Sequence, residues 1–216
     1  MSTIPVKKIK ELKTLYYDKK YSMKKIADKF GVSIDAVVYA MRHHKLSRRS
    51  ATEANAACFE MKPKSFLVKK RLSLKDEILK IIGVSLYWGE GYKAEKASGI
   101  DFANSDVNMI LAFLSFLRRI CGIDEKRMTV YLYCYSNQNL QKLINFWSKE
   151  MGIPKSKFSK PYVRNDFNLE KISKMPYGLV HIRYSDKKLL RLVKSWIEEL
   201  KNEFCAGGRV VKYKSL

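Results

Sequence analysis

The sequence predicts an α+β chain in two parts, a small all-helical unit over residues 1–49 and a larger domain of helices and one sheet over residues 73–216. Two patterns point there. Residues 5–49 place their apolar side chains at helical spacing, whereas beyond Ser73 helical stretches alternate with short runs of period two. A third observation is that 46% of the 216 residues are hydrophobic and 12% aromatic, a composition that builds packed cores and excludes a disordered basic tail.

In the first part the periodicity gives three helices. One runs from about Val6 to Tyr17, with Ile9, Leu12, Leu15 and Tyr16 on one stripe. Ser22 is placed to cap a second, whose inward residues are Met23, Ile26, Ala27 and Phe30. Gly31 supplies a tight turn, and Ser33 caps a third helix from Ile34 to about His44, with Val32, Val37 and Met41 closing the core. The stretch SMKKIADKFGVSIDAVVYAMRHHKLSRR resembles the helix-turn-helix of bacterial and phage regulators, resolvases and transposases, through its I-A-x-x-F-G-V-S-x-x-x-V spacing. The resemblance implies that the third helix enters a DNA major groove. Its exposed candidates are Ser33, Asp35, Val38, Tyr39 and Arg42, with Lys45, Arg48 and Arg49 following onto phosphates. The plainer alternative is a three-helix bundle that binds protein.

Residues 50–72 lack a sustained apolar stripe and end in a basic run, so they read as a linker, in part helical and in part laid along the DNA backbone. Ser73, followed by Asp76 and Glu77, then caps a long apolar helix, LKDEILKIIGVSLYWGEG. Gly83, Ser85 and Gly89 are small residues of the kind that let two helix backbones come close. Glu90 stands in the last turn, where the helix dipole disfavours a carboxylate, and Gly91 ends the helix. The bland reading is a buried helix with one solvent-facing glutamate.

Past Gly91 the pattern gives a strand near 99–103, a helix from Asp106 to about Ile120, and the alternating strand MTVYLYCYS at 128–136. A helix over 139–151, a strand over 157–164, an irregular loop at 166–177, the strand GLVHIRY at 178–184 and a helix from Asp186 to about Glu203 complete it. Alternation puts Met128, Val130, Leu132 and Cys134 on a greasy face. The opposite face collects Tyr131, Tyr133, Tyr135, Lys160, Tyr162, Arg164, His181 and Arg183, an aromatic and basic set suited to nucleic acid.

Residues 83–91, GVSLYWGEG, resemble the signature helix of LAGLIDADG homing endonucleases: an apolar helix, small residues for tight packing, and an acid followed by glycine. The aromatic-basic sheet face is a second point of likeness, and the resemblance spans roughly residues 74–203. It implies two such helices packed side by side, and a sheet laid into the major groove. Terminal acids then bind the divalent metals that cut the two strands. Glu90 corresponds to that acid, so it would be both catalytic and a ligand to Mg²⁺ or another divalent cation. Lys93, just past the motif, would assist at a phosphate, beside the alternative of an ordinary surface lysine. With one motif per chain, Gly83, Ser85 and Gly89 would face their mates in a homodimer. Regulators of sporulation in Gram-positive bacteria join a degenerate, inactive domain of this kind to a helix-turn-helix, which gives the alternative of a DNA-binding regulator.

The charge sharpens the expected partner. Lys and Arg number 43 against 21 Asp and Glu, a formal net charge of +22. Residues 1–72 hold 18 basic and 6 acidic residues and residues 73–216 hold 25 and 15, so both parts are strongly positive. A polyanion explains such a surplus, because each neutralised phosphate releases condensed counterions. Double-stranded DNA is the expected partner, and a small-molecule substrate is not expected. No apolar run reaches the ~18 residues of a membrane span, and the first residues lack the apolar segment of a signal peptide. Cys58, Cys121, Cys134 and Cys205 lie far apart with no C-x-x-C and, with only three histidines, give no zinc spacing. The reading is a cytoplasmic protein with reduced thiols.

Overall fold

A computed structural model describes residues 4–165 and 175–204. Most of the loop expected at 166–177, Cys205 and the basic tail lie outside the described residues. The chain divides into two compact units, 1–63 and 64–216.

The first unit starts with a helical run whose regular part is α1 (Ile9–Lys13), continued by a wider turn over Thr14–Asp18. Two short helices follow, α2 (Met23–Phe30) and α3 (Ile34–His43). Ser22 and Ser33 cap them as the sequence predicts, each Oγ accepting the backbone N–H three residues on, at 3.1 and 3.2 Å. Gly31 joins them in the left-handed conformation at φ +67°. Leu12, Leu15, Ile26, Ala27, Val37 and Met41 close the core.

Part of the expected linker is helical. Ser50 opens α4 (Ala51–Met61) with a reciprocal cap: its Oγ accepts from Glu53 N–H and the Glu53 carboxylate accepts from Ser50 N–H at 2.7 Å. Residues 64–72 belong to the second unit. Phe66 is buried in its core, Leu67 N–H donates to Gly122 O at 2.9 Å, and Lys69 N–H donates to Ile120 O at 2.9 Å.

Among its described residues the second unit packs four helices, α5 (Leu74–Glu90), α6 (Val107–Phe116), α7 (Leu140–Met151) and α8 (Lys187–Phe204), with one four-stranded sheet. The strands are β1 (Ile100–Asn104), β2 (Met128–Tyr135), β3 (Tyr162–Arg164) and β4 (Leu179–Tyr184), in the order β1-β4-β2-β3. β4 is antiparallel to both β1 and β2, and β3 runs parallel to β2. Ile100, Phe102, Met128, Val130, Leu132, Val180, Ile182 and Tyr184 form the buried face, with Val84, Tyr87, Phe113, Phe116, Trp147 and Trp196 from the helices.

β3 is shorter than the strand expected over 157–164. Lys155–Lys157 form a 3₁₀ turn, Phe158 bridges Val130, and Pro161 has no N–H to continue the ladder, so regular pairing resumes only at Tyr162. Asp76, in the first turn of α5, is 1% exposed. Lys69 Nζ (2.6 Å), Ser73 Oγ (2.8 Å) and Arg119 Nη2 (3.0 Å) all donate to its carboxylate. Those of Lys69 and Ser73 hold the carboxyl well below its usual range.

Candidate nucleic-acid interface

β-sheet register decides which polar residues share a face. Asp101 lies across from Arg183 and Ala103 from His181, on the β1–β4 pair; Thr129 pairs with Arg183 and Tyr131 with His181, on the β2–β4 pair. Tyr133 pairs with Tyr162 on β3. Because side chains alternate, these residues occupy the face opposite the core. Tyr131, Tyr133, His181 and Arg183 are half-buried there, while Lys160, Tyr162 and Arg164 are exposed at the β3 edge. Lys160 lies in the extended segment before β3, not within a strand.

The rings pack against one another at tilted angles. Tyr133 lies 4.6 Å from His181 and 5.3 Å from Tyr162, centroid to centroid, and the Arg183 guanidinium sits 4.1 Å over the Tyr131 ring. Hydrogen bonds from the Ser159 and Arg183 side chains hold the Tyr131 phenol below its ordinary range. Tyr135, expected on this face, is buried at 5% exposure. Gln138 folds back at this end of β2, accepting from Tyr135 N–H at 3.0 Å and donating to Met175 O at 2.9 Å, which closes the end of the face.

On this face, Asp101 is a residue that the sequence pattern did not single out. Its Oδ1 lies 2.8 Å from His181 Nδ1, and its Oδ2 accepts from Arg183 Nε at 2.7 Å. Burial works against the charged form of Asp101, but His181 and Arg183 outweigh it and hold the carboxyl below its ordinary range. The alternation of β1 marks Asp101 as facing away from the core; only the register shows what it faces.

Glu90 is the last residue of α5 and is exposed. It lines an open cleft of about 550 Å³ together with Gly91, Tyr92, Asp101, Ala103, His181 and Arg183. The fold therefore brings the acid at the helix end to the polar face of the sheet. Gly91 makes this junction possible by closeness rather than by a left-handed turn: its φ is −76°, and a Cβ there would stand 2.4 Å from the Tyr87 ring. Tyr92 N–H then donates to Asp101 O at 2.9 Å, tying the helix end to β1.

Lys93, expected near a phosphate, engages backbone carbonyls at the end of α5. Its Nζ donates to Gly91 O at 2.6 Å and to Tyr87 O at 3.3 Å, capping the carbonyl end of α5. Burial lowers its ammonium below the usual range, against the pull of Glu90 and with the push of Lys194 and Lys201. Among the described residues, no three His, Cys, Asp or Glu side chains gather as a metal cage.

The three small residues of α5 divide. Gly83 faces inward, where an added Cβ would lie 2.1 Å from Phe116 Cγ, so its smallness serves packing on α6 within the chain. Ser85 and Gly89 are exposed, in line with Leu74, Ile78, Ile81 and Ile82, all exposed apolar residues of the same helix.

In the first unit, Ser33, Asp35 and Arg42 are exposed on α3, and Val38 is half-buried. Tyr39, 60% exposed, stacks on His43 at 5.8 Å with a 13° interplanar angle; His43 joins the candidates that the sequence did not single out. Lys45 and Arg48 are exposed just past the helix. Arg49 corrects the expectation. Its guanidinium donates to Lys20 O (3.1 Å), Tyr16 O (3.3 Å) and Tyr21 O and lies 4.1 Å over the Tyr16 ring, so it holds the unit together and does not project to solvent.

Comparison with family models, with curated proteins and with solved structures found no match. No helix of the described residues is long and apolar enough to cross a membrane.

Proposed function

We propose that this chain binds double-stranded DNA through α3 of the first unit and the open sheet face of the second, and that two copies together cleave the duplex as a LAGLIDADG-type endonuclease. The observation that carries the reading is the shared cleft of Glu90 with Asp101, His181 and Arg183. An exposed carboxylate at a helix end, beside an aromatic and basic sheet face, is what metal-assisted attack on a bound phosphodiester needs. The net charge of +22 supplies attraction to the duplex.

Each part has a stated role. Tyr133 and Tyr162 line the groove surface, Lys160 meets a phosphate, and α3 presents Asp35, Tyr39, Arg42 and His43 to base edges in a helix-turn-helix arrangement. Glu90 would hold Mg²⁺ or another divalent cation, which supplies Lewis-acid polarisation of the phosphate and activation of water. A cation held by one carboxylate takes its remaining ligands from water, phosphate or a second chain. The exposed apolar line on α5 offers a face for that chain, which would bring two Glu90 residues to one duplex.

The binding half of the proposal is tested by fluorescence anisotropy of a labelled random duplex at increasing salt. The expected result is a log-log line with slope near −0.9 per phosphate neutralised. No binding at low salt would sink the proposal.

A further inference from the structure

We infer that Arg183, fixed in place by Asp101 and Tyr131, reads a guanine in the DNA major groove; the inference rests on the sheet face being the DNA surface. A long basic side chain on a protein surface usually moves freely, and a phosphate contact needs nothing more. Arg183 is held on two sides. Its Nε donates to Asp101 Oδ2 at 2.7 Å, and its guanidinium lies 4.1 Å over the Tyr131 ring. The rotamer freedom that binding would remove is already lost, which favours directional recognition.

Charge points the same way. Asp101 cancels the positive charge of Arg183, so the pair adds no net attraction to a polyanion. A carboxylate among basic residues weakens phosphate binding, and its presence suits a surface built to aim donors. Arg183 keeps 36% of its side chain exposed, and a guanidinium anchored through Nε presents its remaining N–H groups as a fork. That fork matches the O6 and N7 acceptors of guanine, the commonest specific contact in the major groove. Asp101 also engages Nδ1 of His181 at 2.8 Å, leaving Nε2 as that ring's other polar atom, so one carboxylate orders two neighbouring side chains.

The test is selection of bound duplexes from a randomised library by the full chain, its Arg183→Lys, Arg183→Gln and Asp101→Asn variants, and Lys160→Ala as a phosphate-contact control, with the salt dependence of binding measured for each. The wild-type consensus is expected to hold a fixed G·C pair. Arg183→Lys, which keeps the charge, should lose preference at that one position by roughly 5- to 150-fold. Asp101→Asn should blur the same position, and Lys160→Ala should weaken all sequences alike. Thermal unfolding confirms that each variant is folded. If Arg183→Lys leaves every position of the consensus unchanged, the inference is overturned. If instead Arg183→Gln lowers affinity uniformly and reduces the salt slope by about one, Arg183 is a phosphate contact and the inference is again overturned. A wild-type chain that selects no duplex at all overturns the DNA reading as well, which separates the two failures.

Discussion

A methyl group added at Gly83 would stand 2.1 Å from Phe116 Cγ, in a core with Val84, Tyr87 and Phe113 packed around it. Interiors at crystal-like density have little room to give. Gly83→Ala should therefore destabilise the second unit by ~1–3 kcal/mol, seen as a lower denaturant midpoint. Gly89→Ala, with nothing within 4 Å of the new carbon, should leave the unfolding of the isolated chain unchanged or slightly improved. An unaltered midpoint for Gly83→Ala would contradict the packing of α5 on α6. Sequence alone marks both glycines as small but does not say which one faces inward. Arg49 and Lys93 teach the same lesson. Both are basic residues near a plausible DNA surface, yet each spends its donors on backbone carbonyls. The carbonyls that engage Arg49 come 28 to 33 positions earlier, beyond the reach of local pattern.

Along α5 the two long faces meet different surroundings. One face holds Val84 and Tyr87 in the core, while Leu74, Ile78, Ile81, Ile82, Ser85 and Gly89 stay exposed. Four exposed large apolar residues on one line are more than a solvated helix face requires. We expect Ile81→Glu with Ile82→Glu to convert a dimer to a folded monomer in analytical ultracentrifugation, with the helical circular dichroism spectrum kept. A wild-type chain that sediments as a monomer at all accessible concentrations would contradict the two-copy arrangement. At this scale the sequence is most readable: each described strand and long helix of the second unit stands near its expected place, because periodicity and N-caps are local. Two departures, one in each unit, have physical causes. α4 was legible in Ser50-Ala-Thr-Glu53, a capping box, but it buries no residue and so shows no apolar stripe. The shortening of β3 lies in Pro161, whose missing N–H outweighs the β-like pattern around it.

Taken whole, the chain carries its positive surplus on both compact units. Residues 1–63 hold 14 basic and 6 acidic residues, net +8, and residues 64–216 hold 29 and 15, net +14. The charge and the α+β class could be read from composition and pattern alone. The meeting of Glu90 with Asp101, His181 and Arg183 could not, since it depends on strand order and register across more than 90 residues of chain. That meeting is the core of the functional account, and cleavage tests it most directly. A duplex sequence selected by the wild-type chain is placed in a supercoiled plasmid and incubated with wild type or Glu90→Gln, in Mg²⁺ or in EDTA. The account predicts linear product at the selected site with wild type in Mg²⁺, and none with the variant or in EDTA. Tight binding of that plasmid by the wild type in Mg²⁺ with no strand cut would contradict it, and would make the chain a DNA-binding regulator.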